Sequence, residues 1–191
     1  MKVNVFLDLD QTLISAEDIA RFKATPSKMA KFAHENMDGY YEVFERPGLQ
    51  KFLDYLFRNF NVSIWTAASK DYALFIIDRM ILQKKGRKLD WIFFSHHCDV
   101  SKKEKRSIKH LGMMYDIYSL PGYTKENTVI IDDNSEVYNS QPCYVIRAPA
   151  FEYTDRNSDK DNWLATGATK MLKQIEKNYA KSGDVCIKRD E

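Results

Sequence analysis

Val3-Asn4-Val5-Phe6-Leu7-Asp8-Leu9-Asp10-Gln11-Thr12 sets an apolar run directly against two carboxylates two residues apart. A run this apolar predicts a strand buried on both faces, and charges at its C-terminal end are tolerated only where the strand leaves the sheet. That edge is where open α/β sheets bind their ligands. Side chains alternate along a strand, so if the strand continues through Asp8 and Asp10, their carboxylates share a face and address one ligand or metal ion. Asp-x-Asp-x-Thr also caps ordinary strand-to-turn junctions, so the rest of the chain must decide.

Four further short runs have the same character: Val62-Ser63-Ile64-Trp65, Trp91-Ile92-Phe93-Phe94, Thr128-Val129-Ile130-Ile131 and Cys143-Tyr144-Val145-Ile146. Helical spacing separates them. Leu49, Phe52, Leu53 and Leu56 follow the i, i+3, i+4, i+7 pattern, and Pro47 suits a first helical position. Tyr72, Phe75, Ile76, Arg79 and Met80 line one side of a helix predicted over 69–82. A basic helix is predicted over 103–115, and Leu164, Ala168, Met171, Leu172 and Ile175 predict another over 163–179. Strands alternating with helices predict an α/β fold whose parallel sheet is covered on both faces, since each parallel crossover takes a dozen or more residues.

Residues 15–45 do not fit that alternation. They carry Arg21, Lys23, Lys28 and Lys31 among Phe22, Phe32, Tyr40, Tyr41 and Phe44. An insert this long after a candidate catalytic strand reads either as a lid or substrate-reading element, or as a surface helix and hairpin with a solvated charged face. Residues 152–162 form a polar loop, and the chain from Lys181 onward is expected to fray, leaving 1–180 as a single domain.

The chain is 44% apolar and 13% aromatic, as a globular protein should be, and its 29 Lys+Arg against 27 Asp+Glu leave a net charge of only +2. That balance points neither to a nucleic-acid-coating protein nor to an acidic tail, and no stable nucleic-acid binding is expected. Cys98, Cys143 and Cys186 show no metal-ligand or redox-pair spacing, so no disulfide framework and a reducing intracellular compartment are expected. With a charged motif by residue 8 and no membrane-length apolar run, the expectation is a soluble protein of cytoplasm or nucleus without membrane contact.

Four more stretches draw attention. Thr66 ends the run Val62 to Trp65; there a hydroxyl either donates to a bound phosphoryl oxygen or simply caps the next helix, for which Ser69 is an equal choice. Asp132-Asp133 end another strand, where two adjacent acids are costly to bury unless a cation or solvent meets them, the alternative being a solvent-facing turn with Asn134 and Ser135. Lys109, on the basic helix, taken alone reads as a solvated lysine. His96-His97-Cys98-Asp99 lacks a second ligand pair at structural zinc spacing and reads better as a satisfied strand-end cluster.

Carboxylates at one strand end, a hydroxyl at a second, a lysine on a helix and acids at a third resemble, in order, the four motifs of haloacid-dehalogenase-type (HAD) phosphatases. More narrowly, the chain resembles the branch containing the RNA polymerase II C-terminal-domain (CTD) phosphatases and the NIF (NLI-interacting-factor)-like proteins. The resemblance rests on Phe6 to Leu13, Arg46-Pro47-Gly48, Trp65-Thr66-Ala67-Ala68 with Tyr72-Ala73, Phe94 to Cys98, Ser107 to Gly112 and Ile130 to Asn134, and covers about residues 3–150. It implies a Rossmann-like three-layer αβα fold with a central parallel sheet and a small insert after the first strand. It also implies Asp8 as nucleophile, Asp10 as general acid and base, and Thr66 and Lys109 as holders of the phosphoryl oxygens. Magnesium (Mg2+) would sit on Asp8, the Asp10 carbonyl and Asp133, with Asp132 beside it. The implied reaction is hydrolysis of phosphoserine or phosphothreonine in a protein or peptide through an aspartyl-phosphate. Charge counting agrees, since a carboxylate ~4 Å from a phosphate meets about 4 kcal/mol of repulsion per charge pair, against which magnesium and Lys109 supply positive charge.

The chain departs from the branch in a minor way at Gln11, where glutamate is common, and more fully in two places. Asn134-Ser135-Glu136 replaces the serine-proline that follows the acidic pair in the small polymerase phosphatases, and the 15–45 insert differs from their apolar serine-proline-reading pocket. Substrate identity therefore stays open. The alternatives are a HAD phosphatase of nucleic-acid 3'-phosphates or small metabolites, prompted by Lys102-Lys103-Glu104-Lys105-Arg106, and a non-catalytic phosphate-binding module, against which the intact set of site residues weighs.

Overall fold

The computed structural model describes residues 2–186. Its strands are β1 Asn4–Leu7, β2 Ile14–Asp18, β3 His34–Met37, β4 Tyr41–Glu45, β5 Asn61–Trp65, β6 Ile92–Phe93, β7 Thr128–Asp132 and β8 Val145–Arg147. Its α-helices are α1 Pro26–Met29, α2 Leu49–Asn59, α3 Lys70–Ile76, α4 Ser95–Lys105, α5 Ser135–Ser140 and α6 Thr169–Ser182. β1, buried along its whole length, is the middle strand of a five-stranded parallel sheet in the order β6-β5-β1-β7-β8. In register, Val5 lies beside Val62 and Val129.

Alternation sorts the strand residues into two layers. Val5, Leu7, Ile64, Val129, Ile131 and Ile146 pack with Leu53 of α2, Ile76 of α3 and Leu172 of α6. Phe6, Trp65, Ile130 and Val145 pack on the other side with Cys98 of α4, Val137 of α5, and Met113 and Met114 of a π turn. Burying each such large apolar side chain is worth about 1.5–3 kcal/mol, which is why the sheet is closed on both faces. The expected three-layer α/β architecture is therefore the one observed.

Several boundaries differ from the sequence reading. α2 starts at Leu49, because Gly48, at φ +85°, makes a left-handed turn that leaves Pro47 outside the helix. The basic helix is displaced: α4 runs from Ser95 to Lys105 and stops at Arg106, itself at φ +57°. Ser101 explains the stop, since its hydroxyl donates to the Ser107 carbonyl (2.6 Å) and accepts from the His110 N–H (3.0 Å), satisfying the turn that follows. Lys109 consequently sits in this turn and not on a helix. The segment His96 to Asp99 opens α4, with the His97 Nδ1 accepting the Phe94 N–H at 3.0 Å, rather than closing a strand. Pro142–Tyr144 is a 3-10 turn, so β8 begins only at Val145.

The cysteine expectation is corrected as well. Cys143 and Cys186 form a disulfide across 43 residues, while Cys98 is free and buried. Linear spacing could not reveal it, because α6 and the segment after it must first return to the sheet; Val185 is fully buried there and its N–H donates to the Glu126 carbonyl at 2.9 Å. The packed chain thus extends beyond Lys181, and residues 187–191 of the expected tail lie outside the described residues. No helix among the described residues is long and apolar enough to cross a membrane.

Residues 14–45 build a second, antiparallel sheet in the order β2-β4-β3, with the short α1 between β2 and β3. Its apolar face is aromatic. Phe32 and Phe44 pack with Phe151 and Tyr153 from the polar loop after β8, and the Phe44 and Tyr153 rings stack at 3.7 Å. Arg46, at the end of β4, joins this sheet to the core. Its fully buried guanidinium makes a two-pronged ion pair with Asp161 (2.9 and 2.8 Å) and donates to the carbonyls of Thr12 and Pro149, each at 3.0 Å. Arg46→Ala would leave Asp161 unpaired and two carbonyls unserved. The expected cost is about 3–5 kcal/mol, read as a thermal midpoint lowered by about 6–20 °C. Arg46→Lys, which lacks the planar fork, should recover only part of it.

Candidate active site

The C-terminal ends of β1, β5, β7 and β8 converge on a cavity of about 410 Å³ lined by Asp8, Asp10, Thr66, Lys109, Asp132, Asp133 and Arg147, among others. All six side chains singled out from the sequence therefore lie at one place. Strand β1 ends at Leu7, so Asp8 and Asp10 do not continue its alternation, and their side chains take different partners.

Asp8 and Asp132 share one ammonium. The Lys109 Nζ donates to Asp8 Oδ1 at 2.6 Å and to Asp132 Oδ2 at 2.8 Å, with all three side chains buried. Gln141 holds the lysine's backbone in place, donating to the Lys109 carbonyl at 2.7 Å and accepting the Leu111 N–H at 2.9 Å. The other Asp132 oxygen accepts the Asn134 N–H at 2.8 Å. Thr12 completes the cluster: its hydroxyl lies 3.1 Å from Asp8 Oδ2 and 3.3 Å from Asp133 Oδ1, and accepts the Asp133 N–H at 3.1 Å.

One lysine cannot balance this set. Burial by itself disfavours the Lys109 ammonium, but Asp8 and Asp132 outweigh that and hold it charged beyond the usual lysine range. Burial and then Asp8 push the Asp132 carboxyl up against the opposing pull of Lys109. The same two causes raise Asp133. Oxygens of Asp8, Asp132 and Asp133 lie within 4.8 Å of one another, a three-carboxylate group whose hard donors and excess negative charge suit a small divalent cation.

Asp10 is turned elsewhere. The Tyr72 hydroxyl, from α3, donates to Asp10 Oδ1 at 2.5 Å. Burial pushes the Asp10 carboxyl from 3.8 up to about 6, Tyr72 pulling it down and Asp8 adding to the rise. Such a group exchanges its proton near neutral pH, as a general acid and base must. Thr66 is buried at the cavity wall, its Oγ1 accepting the Ala68 N–H at 3.1 Å. Ser69, not Thr66, is the cap of α3, accepting the Tyr72 N–H at 3.4 Å.

The sequence reading assigned no part to Thr12, Tyr72, Gln141 or Arg147. Thr12 belongs to the Asp-x-Asp-x-Thr motif and Tyr72 to the threonine-alanine stretch, but neither partnership is visible as a spacing. A second groove of about 460 Å³ shares Asp10 with this cavity, and is walled by Tyr72 together with Met37, Tyr40 and Tyr41 from the small sheet and its turn. Tyr40 is 71% exposed, and Tyr41 packs edge-on to Tyr72 at 5.7 Å.

Known proteins resemble the chain in sequence and in fold. The CTD phosphatase-like protein 355R of Invertebrate iridescent virus 6 is 47% identical over 171 residues, covering 84% of this chain and 92% of the viral protein. Its namesake in Invertebrate iridescent virus 3 is 41% identical over 169 residues, covering 84% and 90%. Among solved structures, the fission yeast RNA polymerase II CTD phosphatase Fcp1 bound to beryllium fluoride matches with a TM-score of 0.56 at 18% identity, over 100% of this chain and 59% of the Fcp1 chain. This likeness shows the shared HAD fold, and the chain spans a little under three fifths of that structure's length. The family model described as NLI interacting factor-like phosphatase matches residues 3–185, nearly the whole chain, and the protein therefore belongs to the NLI interacting factor-like phosphatase family.

Proposed function

We propose that this phosphatase removes phosphate from phosphoserine or phosphothreonine in proteins, with magnesium bound, through an aspartyl-phosphate on Asp8. The observation that carries the reading is the tethering of both Asp8 oxygens, one by Lys109 and one by Thr12, at the floor of a cavity where burial pushes a further carboxyl, Asp10, up to about 6. A carboxylate held this way is aimed, because neither oxygen is free to swing.

In the proposed reaction an Asp8 oxygen forms a bond to phosphorus while the bond from phosphorus to the seryl or threonyl oxygen breaks. Asp10 delivers its proton to that leaving oxygen, then takes one from the water that opens the acyl phosphate. Lys109 and the Thr66 hydroxyl face the phosphoryl oxygens and stabilise the charge spread over them. A bound magnesium ion, held by Asp8, Asp133 and the Asp10 carbonyl with Asp132 beside it, would neutralise charge where carboxylate and phosphate meet. The aromatic groove that opens at Asp10 favours a peptide over a small metabolite, since it supplies walls for residues flanking the phosphorylated one.

The test compares phosphoserine and phosphothreonine peptides, an aryl phosphate and a 3'-phosphorylated oligonucleotide, each with magnesium and with a chelator. The peptides and aryl phosphate should be hydrolysed only with the metal. Faster turnover of the oligonucleotide would defeat the protein-phosphatase reading.

Cation binding should also show in stability. Asp10, Asp132 and Asp133 all have raised carboxyl pKa values, so without metal the folded protein holds protons that the unfolded chain releases. Their contribution is fully present below about pH 4 and is lost as pH rises through the folded values, about 6 for Asp10. Magnesium competes with those protons. At a hundred times its dissociation constant it should add about 2.7 kcal/mol, or roughly 5–10 °C, at pH 7.5, and much less at pH 5. Equal thermal shifts at both pH values would contradict the carboxylate site.

A further inference from the structure

We propose that Arg147 is a specificity-determining residue that grips a second anionic group of the substrate, two or three residues along the peptide from the phosphorylated one. The inference rests on the phosphoprotein reading above. Arg147 ends β8, level with Asp132 at the end of β7, and the Ala148 N–H donates to the Asp132 carbonyl at 3.0 Å to keep the two strand ends in step. Alternation then places Arg147 on the Val145 face of the sheet, the face that also presents Ile130 and Asp132.

Charge singles it out. The charged residues lining the cavity are Asp8, Asp10, Asp132 and Asp133 against Lys109 and Arg147. Lys109 is engaged by Asp8 and Asp132, whereas Arg147 is exposed and makes no ion pair among the described residues. Its guanidinium lies 5.7 Å from the centre of the Tyr138 ring. An aromatic face supports a guanidinium without neutralising it, so the fork stays available for a phosphate or carboxylate. With a divalent cation bound and all four carboxylates ionised, the lining as a whole sums to zero charge, and after the reacting phosphoryl group is seated Arg147 is the positive side chain left for a further anion.

Position fixes the spacing. Neighbouring strands lie about 4.8 Å apart, so β8, two strands from β1, is offset by roughly 10 Å from the strand that carries Asp8. An extended peptide advances about 3.3 Å per residue, which puts the second anion two or three residues away. The chemistry is that of a second phosphoryl group or an acidic side chain, either of which pairs with an arginine fork.

The test measures kcat/KM, with magnesium, on phosphopeptides identical except at two and three residues on either side of the phosphorylated serine, where a neutral residue, aspartate or a second phosphoserine stands. An aryl phosphate serves as reference. Wild-type protein should favour one of the anionic peptides over the neutral one by about tenfold, the worth of one charge-assisted pair. In Arg147→Ala that ratio should fall to about one, and Arg147→Lys should give an intermediate ratio. A second phosphate favoured over aspartate assigns the anion as phosphoryl, and equal preference assigns it as any anion; both support the proposal. A wild-type ratio of one, or a ratio untouched in Arg147→Ala, overturns it while hydrolysis of the neutral peptide keeps the phosphatase reading standing. Equal slowing of neutral and anionic peptides in Arg147→Ala would place the guanidinium on the reacting phosphoryl group and also overturn it. Turnover of the aryl phosphate with no turnover of any peptide would instead defeat the phosphoprotein reading itself.

Discussion

Asp8→Asn should abolish hydrolysis of an aryl phosphate, by about 10⁴-fold or more, the scale on which removal of a nucleophile acts in other covalent enzymes. Asparagine keeps the shape, its amide oxygen still accepting from the Lys109 Nζ while its amide N–H donates to the Thr12 hydroxyl oxygen. It cannot form the acyl phosphate. The fold should not suffer, and the physical reason makes the prediction sharper. In the wild type Lys109 faces two buried carboxylates, so the site carries surplus negative charge. Taking one away leaves a one-to-one buried pair between Lys109 and Asp132. Without metal, the variant's thermal midpoint should therefore equal or exceed that of the wild type at neutral pH. Comparable turnover by the variant would refute the nucleophile assignment. A markedly lower midpoint would refute the charge accounting.

Lys109→Met tests the other side of the same balance and should cost both stability and activity. It leaves Asp8 and Asp132 buried, adjacent and without a cation. Breaking a buried pair from one side costs about 3–5 kcal/mol, expected here as a midpoint lower by about 6–20 °C in metal-free protein at pH 7.5. The loss should shrink toward pH 4, because protonating Asp132, whose carboxyl burial already pushes up, removes the repulsion. Magnesium should restore much of the stability at neutral pH. It should not restore turnover, which is expected to stay about 10²–10³-fold down, as when a single charge-stabilising donor is removed. Calorimetry across that pH range, with and without magnesium, beside single-turnover assays, separates the two roles of the lysine.

What the chain announces in its sequence is local and periodic. β1 could be read because a strand buried on both faces is mostly apolar, and Asp8, Thr66 and Asp132-Asp133 could be placed because each ends such a run. Tyr72 was quoted for its motif, yet its bond to Asp10 spans 62 residues and depends on where α3 starts. Lys109 was expected on a helix because its neighbours are basic and helix-compatible. The Ser101 hydroxyl, which ends α4, acts through the turn's geometry and leaves no periodic trace. The small sheet escaped the alternation because its strands pair antiparallel and bury their aromatic face against a loop more than a hundred residues later. Arg46 with Asp161 and Cys143 with Cys186 are partnerships of the same non-local kind, visible only once the chain has folded.

The Arg46 clamp also sets a timetable for synthesis. The guanidinium that braces the Thr12 carbonyl finds its carboxylate 115 residues later in the chain. At about 5–20 residues per second, a ribosome delivers that partner roughly 6–23 s after Arg46 itself. Until then the loop bearing Asp8 lacks its brace, so the proposed hydrolysis is not expected to begin before residue 161 has left the ribosome.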